Sequence, residues 1–137
     1  MTTRQRPARP GDIQDIARSM PFTVEEPGSD GRPVFQVGGR TFVFFRNPRP
    51  DAVDENGRRL EDVVVLWVQS DADKQSLIQD ESPFFTTPHF DGHLSVLLRE
   101  SEIGRLGLDE LTEVVQDAWL ARASSRRAKD WLLAHSR

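Results

Sequence analysis

The sequence predicts an α+β fold, an antiparallel β-sheet with helices packed on one face, and three observations carry that prediction. Val34 to Val37 and Arg40 to Phe45 are rich in β-branched and aromatic residues and flank Gly38-Gly39, a pair suited to the positive φ angles of a two-residue hairpin turn. Val63 to Gln69 is a continuous apolar run dominated by valine, the pattern of a central strand. Two amphipathic segments then close the chain, so helices follow the strands rather than alternating with them.

Taken in order, residues 1–11 carry three arginines and two prolines without periodicity and predict a disordered basic arm ahead of one domain over 12–137. Ile13, Ile16, Ala17 and Met20 mark one face of a short helix that Pro21 stops. Glu25 to Arg32 reads as turn chemistry. In the hairpin, pairing Val37 with Arg40 places Phe35 opposite Phe42, so Phe35, Val37, Phe42 and Phe44 are expected on the core face. Arg46 to Asp62 is polar, and predicts a mobile loop or an extended hairpin tip. Ser70 and Asp73 have capping-box spacing before a short helix whose buried side is Leu77 and Ile78. Pro83 to Thr87 and Leu94 to Arg99 are two further strands. Asp109 is the expected cap of a helix with the stripe Leu111, Val114, Val115 and Ala118. After Ser124 and Ser125 a last helix is expected to bury Ala128, Trp131, Leu132 and His135.

Composition narrows the function classes. The 137 residues contain no cysteine, which excludes disulfides, thiolate zinc sites, iron–sulfur clusters and a cysteine nucleophile. No apolar run approaches the roughly 20 residues of a membrane span, and the Arg- and Pro-rich start lacks a signal-peptide core, so a soluble cytoplasmic protein is expected. The net charge of −4 is unevenly distributed. Arg4, Arg6 and Arg9 stand without an acid in the first ten residues. Arg122, Arg126, Arg127, Lys129 and Arg137 face only Asp130 near the other end. Two basic ends therefore flank an acidic interior, an asymmetry compatible with a polyanionic partner.

Catalytic motifs are missing. There is no phosphate-binding P-loop, no dinucleotide-binding glycine pattern after a strand and no nucleophile elbow. His89, Asp91 and His93 form one polar cluster, but Pro88 and Asp91-Gly92 argue for a turn, where histidines four apart do not converge on an ion as they would on a helix. Neither a metal nor a cofactor is expected, and the protein is read as a non-enzyme. His89, Asp91 and His93 stay as loop candidates, and an edge of Trp119 as a candidate lining for a groove between the sheet and the C-terminal helices.

Phe84 to Arg99 (FFTTPHFDGHLSVLLR), Asp117 to Arg122 (DAWLAR) and Arg127 to Leu132 (RAKDWL), with Arg32 to Phe45 as a first hairpin, resemble the MmcQ/YjbR family of small bacterial proteins. The resemblance spans roughly Asp12 to Leu133. It implies a CyaY-like arrangement with a double-wing motif and, through it, DNA binding. The family's last helix commonly opens with an Ala-Pro-Lys-Arg-like segment; Ser124 and Ser125 stand here at the Pro and Lys positions, so one basic residue is lost. The fold also resembles frataxin, but Asp12 and Asp15 are the first helix's acids and do not make an iron-binding ridge. Weak, salt-dependent DNA binding through Arg40, Arg122, Arg126, Arg127 and Lys129 is the leading expectation, with the Gly38-Gly39 turn and the His89 to His93 loop as wings. A protein- or small-ligand-binding module is the alternative.

Overall fold

The valine run expected at the centre of a sheet takes that place. The computed structural model describes residues 6–28, 31–46, 48–79 and 81–135. In chain order its elements are α1 (Pro10–Ser19), β1 (Thr23–Pro27), β2 (Pro33–Val37), β3 (Arg40–Phe45), β4 (Val63–Trp67), α2 (Asp71–Leu77), β5 (Phe84–Phe85), β6 (Ser95–Arg99), α3 (Leu108–Arg122) and α4 (Ser125–Ala134). The strands form one six-stranded sheet in the order β1-β2-β3-β4-β6-β5. Every neighbouring pair is antiparallel. With helices on one face, this is the α+β class that the element order predicts.

The register of the hairpin differs from expectation in one consequential way. Val37 does pair with Arg40, but a bulge between Phe35 and Gln36 sets Phe35 opposite Val43 and Val34 opposite Phe44. Phe42 is the extra residue. Phe35, Val37, Phe42, Val43 and Phe45 consequently join the core beneath the helices, while Phe44 turns to the other face. Gly38 and Gly39 have φ of +60° and +79°, as a primed turn requires. Gly39→Ala is expected to cost about 1–2 kcal/mol, because a Cβ clashes in left-handed backbone. Urea unfolding should show a lower midpoint with an unchanged slope; a midpoint equal to wild type would contradict this turn.

α3 lies across β3 and β4 and packs on α1. Its stripe Leu111, Val114, Val115 and Ala118 is buried as expected, and Trp119 joins it. The cap is Gly107 rather than Asp109, with Glu110 Oε1 accepting from the Gly107 N–H at 2.9 Å. Ser70 caps α2 and Ser124 caps α4, each accepting from the backbone N–H three residues on. Ala128 and Trp131 pack on the core. Leu132, expected inside, is 51% exposed, and no residue of α4 is fully buried.

Residues 6–11, expected in the basic arm, pack on the domain. Ala8 is buried, its N–H donates to Leu106 O at 2.8 Å, and Leu108 N–H donates to Arg6 O at 2.9 Å. Asp12 explains this docking. It accepts from the Arg9 N–H at 2.7 Å and pairs with Arg6 at 2.9 Å. Residues 6–11 therefore belong to the fold, and residues 1–5 lie outside the described residues. The Glu25 to Pro27 stretch, read as turn, is the edge strand β1; its mostly exposed polar residues carry no alternation to reveal it.

The second face of the sheet is covered without a helix. Val63, Val65 and Leu97 are buried there under Ala52, Leu60 and Phe90, with Phe44, Trp67 and Phe85 beside them. The polar 46–62 segment supplies two of these covers by folding as a hairpin excursion: Leu60 N–H donates to Ala52 O at 2.9 Å and Asp54 N–H to Arg58 O at 2.8 Å.

Candidate functional site

Two chain-distant basic segments meet at the β2–β3 turn. Arg122, in the last turn of α3, donates from Nε to Thr41 O at 3.0 Å, and its guanidinium stands 5.1 Å from the centre of the Trp67 ring. Burial first, and the neighbouring charge of Arg40 second, hold its pKa below the usual arginine value. Arg40 is exposed at the start of β3. Arg127 in the first turn of α4 stands 4.2 Å over the Phe22 ring, and a Cβ added at Gly38 would lie 3.6 Å from its Nη1. Arg40, Arg122 and Arg127 thus gather at one hairpin tip. Arg126 and Lys129 are exposed on the same opening turns of α4.

The other expected wing reaches the same end of the sheet. Val43 pairs with Leu66, and Val68 N–H donates to Leu94 O at 3.0 Å, so the His93-Leu94 corner and the hairpin tip both lie past the Trp67 end of β4. Pro88–Phe90 is a single 3-10 turn, and its position depends on a residue that the sequence did not single out. Lys74 of α2 is 1% exposed, and its ammonium donates to Phe90 O and His93 O, each at 2.7 Å. Burial lowers its pKa, against the pull of Asp91 and Asp71. Spacing could have signalled this, since Lys74 lies three and four residues before Leu77 and Ile78 and so shares their buried face.

The His89 and His93 side chains are exposed and contact aromatic neighbours. The His89 ring meets Phe90 edge-on at 4.9 Å and stacks near-parallel to His93 at 6.1 Å. Asp91 is exposed. Among the described residues no group of three or more His, Cys, Asp or Glu is placed to hold a metal ion.

Trp119 does not line a groove. It is 0% exposed, donates from Nε1 to Pro21 O at 3.0 Å and packs 6.2 Å from Trp131, so the space between the sheet and the C-terminal helices is filled. An open groove of about 630 Å³ lies instead on the second face, between Val34 and Phe44 of the hairpin and His89 and Phe90. Arg46 is 8% exposed at its floor. It pairs with Asp51 at 2.9 Å and stands 4.9 Å over the Phe90 ring. Burial opposes the Asp51 charge, but hydrogen bonds from Thr87 and Arg46 outweigh it and hold the pKa below the usual carboxylate value.

A second cleft is acidic, and Val68 and Gln69 past the Trp67 end of β4 are among its lining residues. Asp73, Glu110, Glu113 and Asp117 rim this smaller cleft of about 250 Å³ between α2 and α3. Burial, then the charges of Asp73 and Glu113, raise the pKa of Asp117.

An open antiparallel sheet, helices on one face and a basic hairpin tip define an α+β domain. The YjbR family model matches residues 18–121, and the chain belongs to that family. Uncharacterized proteins of Mycobacterium bovis and Mycobacterium tuberculosis are similar to it, at 32% identity over 127 residues, covering 88% of this chain and 93% of theirs. No solved structure matches the chain. Among the described residues no helix is long and apolar enough to cross a membrane.

Proposed function

We propose that the protein is a non-enzymatic module that binds DNA weakly through the hairpin-tip end of its sheet. The observation that supports this reading is the convergence of Arg40 of β3, Arg122 of α3 and Arg127 of α4 at the β2–β3 turn. Arg126 and Lys129 extend the same cationic surface. Arg122 is committed to the Thr41 carbonyl and Trp67 and acts by positioning, which leaves Arg40, Arg126, Arg127 and Lys129 to meet phosphates. The acids Asp71 and Asp91, which act on Lys74, border this end on the α2 side and limit the footprint.

About four neutralised phosphates imply that log affinity falls with log salt at a slope near −3.6. Reversing Arg40→Glu and Arg126→Glu together changes two exposed side chains. The slope should fall by about 1.8 and low-salt affinity by more than tenfold. Fluorescence anisotropy of a labelled duplex across a salt series reads both quantities. Absence of low-salt binding, or an unchanged slope in the double variant, would sink the proposal.

A further inference from the structure

The groove on the second face has a composition that the DNA reading does not use. Its walls are apolar, formed by Val34, Phe44, Pro50 and Phe90, and its cationic groups are Arg46 and the exposed Arg49. One carboxylate, Asp51, accompanies them among the lining residues, and it accepts from both Arg46 and Thr87. The groove is therefore net positive in a chain whose net charge is −4. Its volume of about 630 Å³ falls inside the range of small-molecule pockets, roughly 300–1,000 Å³.

The site is preorganised. Arg46 is clamped between the Asp51 carboxylate, at 2.9 and 3.0 Å, and the Phe90 ring, so its guanidinium plane is fixed before any ligand arrives. Phe90 is itself anchored through its carbonyl by Lys74. Phe44 stands on the hairpin wall and packs 5.9 Å from Trp67. Two aromatic walls and a fixed guanidinium suit a flat ring system, and the excess positive charge suits an acid on that ring. The β2–β3 tip is five residues along β3 from Phe45, about 17 Å at strand rise, so this groove is separate from the proposed DNA surface.

We infer that this groove binds a small planar aromatic anion, its ring between Phe44 and Phe90 and its carboxylate or phosphate on the Arg46 and Arg49 side. Naphthoate and adenosine monophosphate present the two forms of the anion; naphthamide and adenosine are their uncharged counterparts. Calorimetry on the full chain, with tryptophan emission as a second readout of the Phe44–Trp67 wall, should show at least one anion binding about tenfold or more tighter than its neutral counterpart. Arg49→Glu should remove at least tenfold of that affinity. Phe44→Leu, which keeps the apolar volume but removes the ring, should weaken it severalfold, while melting temperature confirms that each variant is folded. The Arg40→Glu, Arg126→Glu variant should bind the anion as wild type does, so failure here and failure of the DNA proposal are distinguishable. No binding of either anion at about 1 mM, equal binding of the neutral analogues, or full affinity in Arg49→Glu would each overturn the inference.

Discussion

Trp119→Ala is expected to destabilise the fold by about 3–5 kcal/mol, the range for deleting a large aromatic side chain from a packed core. The indole is 0% exposed, and about 200 Å² of ring at roughly 25 cal/mol per Å² sets an upper burial contribution of about 5 kcal/mol. Its N–H also ties α3 to the Pro21 carbonyl at 3.0 Å, so truncation removes a cross-link between the α1–β1 corner and the last helices. Domains of this size have roughly 5–15 kcal/mol in total. Thermal unfolding should therefore drop by roughly 10–20 °C. Trp119→Phe, which keeps most of the apolar area and loses the donor, should cost about 1–2 kcal/mol. A Trp119→Ala protein within about 1 kcal/mol of wild type would contradict the packing described for this residue. The loss also bears on function. α4 has no fully buried residue and leans on the core through Ala128 and Trp131, which meets Trp119 at 6.2 Å. Emptying the Trp119 site should loosen α4 first, and with it the placement of Arg127 against the hairpin tip.

Periodicity made the α3 stripe and the central valine strand legible, because a buried face writes itself into the sequence wherever one side of an element is apolar. The features that escaped have identifiable reasons. A bulge adds one residue to one strand, and Phe42 is as apolar as the residues around it, so nothing in the pattern marked the shift that moves Phe44 to the second face. That single slip hid the groove, since Phe44 is one of its walls. The edge strand β1 carries Glu25, Glu26 and Pro27, which fit a solvated edge and equally fit a turn. Arg46 looked like one more charge in a polar connection, because ion pairing to Asp51 depends on a chain path that spacing does not reveal. The basic cluster was legible as composition, and its convergence on Gly38 required the register and the packing of two helices.

Lys74→Met is expected to cost about 2–4 kcal/mol, although the side chain keeps its length and apolar stem. The Phe90 and His93 carbonyls each accept from the buried ammonium at 2.7 Å. Orphaning a buried carbonyl costs about 1–3 kcal/mol, and relief from burying the ammonium returns part of the sum. The pH dependence separates this charge effect from packing. Burial lowers the folded pKa of Lys74 below 10.5, so between the folded and unfolded values the unfolded chain holds a proton that the folded chain does not. The contribution of this group to stability therefore rises with pH across that window, and is level below the folded pKa and above the unfolded one. A neutral amine still offers two N–H donors to the two carbonyls, so deprotonation leaves the clasp closed. Urea unfolding at increasing alkaline pH should show wild type gaining on Lys74→Met; a constant difference across the series would refute the assignment. The clasp also orders the residues between the two proposed surfaces, with His89 at the groove and His93 at the tip end. Lys74→Met should consequently lower anion and duplex affinity together, whereas Arg49→Glu lowers only the first and the Arg40→Glu, Arg126→Glu pair only the second.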